Sequence, residues 1–66
     1  MSQSSRIHYI LSQANKIIAS GKYSSGVVGK ARRVVMAVRS NAEYGTIERL
    51  YIELQFAIVD RMMGTQ

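Results

Sequence analysis

Apolar residues recur at intervals of three and four positions in three successive segments, and this helical period constrains the fold more than any other feature of the chain. No segment alternates strictly between apolar and polar residues, as a half-buried strand would, and no Pro interrupts any of them. The sequence therefore predicts an all-α protein of three helices. With 66 residues, the chain has room for one domain, residues 1–66.

The first two helices are predicted at residues 5–20 and 25–39. Ser4 or Ser5 is a candidate N-cap of the first helix, and Gly21 is a typical residue to end it, because glycine tolerates the left-handed conformation. The apolar face of the first helix consists of Ile7, Ile10, Leu11, Ala14, Ile17 and Ile18. The apolar face of the second consists of Val27, Val28, Ala31, Val34, Val35 and Val38.

The third helix is predicted at residues 42–63, and two starts are open. Ser40 followed by Glu43 matches a capping box, whereas Thr46, just after Gly45, is a second candidate N-cap. Its main apolar face consists of Ile47, Leu50, Tyr51, Leu54, Ala57, Ile58 and Met62. Three such helices joined by short turns predict a compact three-helix bundle or a helix-turn-helix variant.

A second line of apolar residues, called here the apolar stripe, follows another side of the third helix. It consists of Ile52, Phe56, Val59 and Met63. A helix that only closes a small bundle needs one apolar face, so the stripe predicts that helix 3 is also used for oligomerisation, most simply in a homodimer. The alternative is that the third helix is central and buries both sides within the bundle.

Charge is distributed unevenly along the chain. Residues 1–42 carry seven Lys and Arg residues and no acid, whereas residues 43–66 carry two Arg against four Asp and Glu residues. The net charge is +5, and a segregated positive charge attracts polyanions. We therefore predict a nucleic-acid-binding surface, with DNA favoured over RNA. Its predicted residues are Lys16, Lys22, Lys30, Arg32, Arg33 and Arg39.

Residue types that catalyse reactions or bind metals are scarce. The chain has no Cys and a single His, His8, which leaves no thiol nucleophile and too few ligands for a histidine metal site. Gly21 and Gly26 have the first spacing of a P-loop, but Val27 stands where that motif requires Lys. We predict a protein that is not an enzyme and uses no metal and no cofactor.

The N-terminal residues, 1–6, lack the apolar segment of a signal peptide. No apolar run approaches the roughly 18 residues that a membrane span requires. We therefore expect a cytoplasmic protein that does not cross a membrane.

Three functions remain open at this point. The first is a homo-oligomeric regulator that binds nucleic acid through the second helix and associates through the apolar stripe. The second is a protein-binding inhibitor or adaptor, such as an accessory protein of a phage or mobile element, that docks on an acidic or apolar surface of a larger partner. The third is a self-assembling structural subunit, in which the acidic third helix contacts the basic second helix of the next copy.

Overall fold

The computed structural model describes the backbone of residues 3–63 and the side chains of residues 3–60. It contains three helices, α1 (Gln3–Ser20), α2 (Ser25–Arg39) and α3 (Tyr44–Met63), and this region has no strand. The prediction of an all-α three-helix fold is confirmed.

The second helix lies in the middle of the bundle. It packs against both α1 and α3, whereas α1 and α3 contact each other over a shorter stretch. The turns 21–24 and 40–43 are short, and short connections favour antiparallel neighbours. The Cα atoms extend over 39 × 19 × 18 Å, as expected when three helices follow a common long axis. Of the two predicted forms, the compact bundle fits this shape better than the steep crossing of a helix-turn-helix.

The turn between α1 and α2 contains the predicted glycine stop and a serine cap that was not predicted. Gly21 adopts a left-handed conformation with φ of 70° and ends α1. Ser24 precedes α2 as its N-cap, and its hydroxyl accepts a hydrogen bond from the backbone N–H of Val27 at 3.4 Å. The start of α1 differs from the prediction. The helix begins at Gln3, so Ser4 and Ser5 lie inside its first turn instead of capping it.

The turn between α2 and α3 corrects the predicted capping box. Ser40 is the C-cap of α2, not the N-cap of α3. Asn41 follows it with φ of 61°, and its N–H donates to the carbonyl of Val38. The N–H of Ala42 donates to the carbonyl of Ala37 at 2.9 Å, which completes the paired hydrogen bonds of a Schellman motif. α3 therefore begins at Tyr44, between the two predicted starts.

The core lies where the three helices meet. Its buried side chains are Ile10, Ala14, Val27, Ala31, Val34, Ala37, Ile47, Tyr51 and Leu54. On α2 the buried side includes Ala37, which the sequence analysis did not place in the core, whereas Val28, Val35 and Val38 are half-buried. The side chain of Met62 lies outside the described residues. No helix in the described part of the chain is sufficiently long and apolar to span a membrane.

Candidate nucleic-acid interface and apolar surface

The face of α2 that points away from the core carries three exposed arginines. At about 100° per residue, Arg32 and Arg39 lie almost on one line along the helix, and Arg33 lies on the other side of that face. Met36 stands among them with 68% of its surface exposed. Three of the six predicted nucleic-acid-binding residues are thus on one exposed face.

The fourth predicted residue of α2 is on a different side. Lys30 is half-buried, and the helical period places it about 160° around the helix from Arg32 and about 60° from Arg33. Its side chain and that of Arg32 therefore reach different parts of the surface. The prediction that Lys30 and Arg32 share the face opposite the valines is therefore wrong.

The remaining two predicted residues come together at the other end of the α1–α2 pair. Lys16 on α1 and Lys22 in the following turn are both exposed and line a shallow depression of about 310 Å³ with Tyr23. This is a second positively charged surface, formed by the α1–α2 turn and separate in sequence from the arginines of α2.

Acidic side chains neutralise little of this positive charge. Among the side chains of residues 3–60, a salt bridge forms between Arg6 and Glu48 and nowhere else. None of the six predicted nucleic-acid-binding residues is paired with a carboxylate within that part of the structure. Their charges therefore remain available to an external anion.

The Arg6–Glu48 pair connects α1 to α3 and was not predicted from the sequence. The guanidinium donates two hydrogen bonds to the carboxylate, from Nε to Oε2 at 2.8 Å and from Nη2 to Oε1 at 3.3 Å. The Tyr44 hydroxyl donates a third, to Oε2 at 2.6 Å. These donors hold the pKa of Glu48 below its ordinary value, and the carboxylate in turn raises the pKa of the Tyr44 hydroxyl.

Two tyrosine rings enclose the same guanidinium. The Arg6 Cζ atom lies 5.6 Å from the ring centroid of Tyr9 and 5.4 Å from that of Tyr51, within cation–π range. The two rings contact edge to face, with centroids 6.4 Å apart. Burial raises the pKa of the Tyr51 hydroxyl. Arg6 is thus fixed between an anion and two aromatic faces and contributes little free charge to the surface.

The described part of the apolar stripe is exposed. The exposed fractions are 49% for Ile52, 64% for Phe56 and 47% for Val59, whereas the side chain of Met63 lies outside the described residues. The alternative in which α3 buries both of its apolar sides inside the bundle is therefore wrong.

A groove of about 540 Å³ runs beside the apolar stripe, between α1 and α3. Arg6 and Tyr9 line it from α1, and the residues that line it from α3 are Tyr51, Ile52, Gln55, Phe56 and Val59. An apolar ridge and an apolar groove consequently lie side by side on one face of the molecule.

No protein-family model, curated protein or solved structure matches the chain.

Proposed function

We propose that this protein is a non-catalytic nucleic-acid-binding protein whose exposed α2 face contacts the phosphate backbone. The observation that supports the proposal is the set of three exposed arginines, Arg32, Arg33 and Arg39, none of which is paired with a carboxylate in the described structure. Arginine provides a permanent charge and a forked donor that fits phosphate oxygens. A protein that acts by binding alone fits a regulator.

The spacing of the arginines suits a phosphate backbone. Arg32 and Arg39 are seven residues apart, about 10 Å along the helix, so each can contact a different phosphate. Gly29 on the same face adds no side chain and allows close approach. The face carries no aromatic side chain on which an unpaired base could stack, which favours duplex DNA over single-stranded RNA.

The proposal is tested by fluorescence anisotropy of a labelled DNA duplex and a labelled single-stranded RNA, each at two salt concentrations. Wild-type protein is compared with Arg32→Ala/Arg33→Ala. We expect wild-type affinity for the duplex to fall steeply with salt, because each neutralised phosphate releases counterions. We expect the double variant to bind at least tenfold more weakly, on the order of the effect of losing two phosphate contacts.

Two control variants distinguish the effect of the position of the arginines on DNA binding from the effect of net charge. Arg32→Lys/Arg33→Lys retains the charge at the same positions and should retain most of the binding. His8→Glu/Asn15→Glu lowers the net charge by the same two units on exposed positions of α1 and should bind DNA more tightly than the α2 double alanine variant.

Absence of salt-sensitive binding to either nucleic acid would contradict the proposal. In that case the exposed arginines would indicate an acidic protein surface as the partner. The sign of that alternative is a stoichiometric complex that survives nuclease treatment.

A further inference from the structure

We propose that the apolar stripe of α3 packs against the same stripe of a second copy of this chain, in an antiparallel, two-fold symmetric dimer. Large exposed apolar side chains in a row mark interaction surfaces on small proteins. Ile52, Phe56 and Val59 form such a row, and Tyr9 extends it across the groove with half of its surface exposed.

A second copy is the occupant that the charge distribution favours. The exposed face of α2 and the α1–α2 turn are positive, so two copies repel each other when those surfaces meet. The face that carries the stripe differs, because Glu48 neutralises Arg6 beneath the groove. Two copies of a protein with net charge +5 therefore approach most favourably through this face.

The shape of the face suits two-fold symmetry. A two-fold interface uses the same patch on both chains, so the patch must be complementary to itself. Here a ridge, led by Phe56, and the groove between α1 and α3 lie side by side. A two-fold axis perpendicular to α3 places the ridge of each copy against the ridge of the other, with the side chains of one between those of the other, and places groove beside groove.

Charges beside the stripe select the antiparallel orientation. Arg49 and Asp60 are exposed and lie on the same edge of α3, about 20° apart around the helix. In an antiparallel pair, each edge of α3 lies beside the same edge of α3 in the other copy. A two-fold axis beside Leu54 and Gln55 then sets Arg49 of each copy opposite Asp60 of the other, and sets Ile52 between Phe56 and Val59 of the other. The same axis brings Glu53 of the two copies near each other, and Arg49 lies one turn from Glu53 on each helix to offset that repulsion.

A parallel pair lacks this complementarity. Opposite edges meet in that arrangement, which brings Arg49 and Glu53 towards Glu48 of the other copy and Asp60 towards Gln55. Glu48 is already bonded to Arg6 and Tyr44. The carboxylate that meets Arg49 in a parallel pair is therefore already neutralised, whereas Asp60, its partner in the antiparallel pair, has no salt bridge among the described side chains.

The same two-fold axis brings matching residues of α1 together. Arg6 contacts Glu48, and Tyr9 contacts Tyr51, so both pairs are 42 positions apart, and α1 and α3 run parallel at this register. At this register the midpoint between Tyr9 and Lys16 is level with the midpoint between Arg49 and Asp60. The axis therefore places Lys16 of each copy, which also belongs to the positive α1–α2 surface, opposite the exposed ring of Tyr9 of the other, about 10 Å along the helix from the other Lys16. A cation–π contact with Tyr9 offsets the repulsion between the two lysines.

Sedimentation equilibrium over a range of protein concentrations, without nucleic acid, tests the dimer. We expect wild type to dimerise and Phe56→Ala to raise the dissociation constant at least tenfold, as for a central aromatic contact. Arg49→Asp and Asp60→Arg should each weaken the dimer about tenfold, because each sets like charges opposite each other at two equivalent positions. The two substitutions combined in one chain leave the net charge unchanged and should restore the dimer.

Single cysteines test the orientation, since the wild-type chain has none. Gln55→Cys places a thiol beside the proposed axis and should form a cross-linked dimer on mild oxidation. Gly45→Cys is on the line of the stripe with open space around its added side chain, but the antiparallel pairing separates the two copies of it by most of the length of α3. It should not cross-link.

Three results would overturn the proposal. They are a monomer at every concentration, a double charge exchange that fails to restore the dimer, and preferential cross-linking through position 45. A monomer that still binds DNA would refute the dimer and leave the proposed function intact. A dimer that binds no DNA would refute the proposed function and leave the dimer intact.

Discussion

The guanidinium of Arg6 lies 2.8 Å from the carboxylate of Glu48 and joins the beginnings of two helices that are not consecutive in the chain. Both side chains are partly exposed, 37% for Arg6 and 21% for Glu48, so solvent weakens the attraction. The pair gains from its two-point geometry, from Tyr44 and from two adjacent aromatic rings. It fixes α1 beside α3, where the direct contact between the two helices is otherwise short.

The first prediction concerns acid. The folded state lowers the pKa of Glu48 below its ordinary value of 4.5, so its contribution to stability is complete above pH 4.5 and is lost as the pH falls through the lower folded pKa. We expect the urea midpoint to fall over that range. Glu48→Gln should be less stable than wild type at neutral pH, and the difference should shrink in acid. If the difference in stability between wild type and Glu48→Gln did not change with pH, the charge of Glu48 would not stabilise the fold.

The second prediction concerns alkali. The hydrogen bond to Glu48 raises the pKa of Tyr44 above its ordinary value of 10.0. Its contribution is therefore complete below pH 10.0 and is lost as the pH rises through the raised folded value. Tyr44→Phe should show a smaller loss of stability above pH 10 than wild type. Spectrophotometric titration of the phenols at 295 nm, compared between the two proteins, should show one late-ionising group missing from the variant.

A third prediction compares two large side chains of α3 that are two residues apart. Leu54 is fully buried, so Leu54→Ala should lower the free energy of unfolding by about 3 kcal/mol, through lost apolar burial and a cavity. Phe56 is mostly exposed, and Phe56→Ala should cost less than about 1 kcal/mol in dilute protein. Urea denaturation at micromolar concentration measures both. Equal losses would show that Phe56 is part of the core of the single chain.

A fourth prediction uses two glycines with open space around them. Gly29 is an exposed position inside α2, and Gly29→Ala should raise stability by about 0.5–1 kcal/mol, because alanine is the better helix former. Gly21 has φ of 70°, and Gly21→Ala should lower stability by about 1 kcal/mol because a side chain strains that conformation. The midpoint of thermal unfolding should therefore rise for Gly29→Ala and fall for Gly21→Ala. A gain from Gly21→Ala would indicate that the turn changes conformation at little cost.

Local signals were sufficient for most helix boundaries. Ser24 and Gly21 mark the α1–α2 turn by capping chemistry that depends on neighbouring residues alone. The same capping chemistry gave a wrong prediction at Ser40, which was expected to begin α3, since serine occurs at either end of a helix. The left-handed conformation of Asn41 made Ser40 the end of α2, and Asn is the residue other than Gly that adopts it most readily.

The candidate surfaces were predicted less completely, for a physical reason. Helical period alone was sufficient to place Arg32, Arg39 and the apolar stripe away from the core. The same period also separates Lys30 from Arg32, because the two residues are about 160° apart around α2. The contact of Arg6 with Glu48 depends on how α1 lies against α3, which no spacing within either helix determines.

The parallel register of α1 and α3 also has a kinetic consequence. Contacts across 42 positions require that a long loop be closed, whereas the α1–α2 and α2–α3 hairpins form between neighbours in the chain. We therefore expect the salt bridge to form in the last stage of folding, after the transition state. Loss of Glu48 should accelerate unfolding and leave the refolding rate almost unchanged, so that α1 and α3 separate first whenever the native bundle opens.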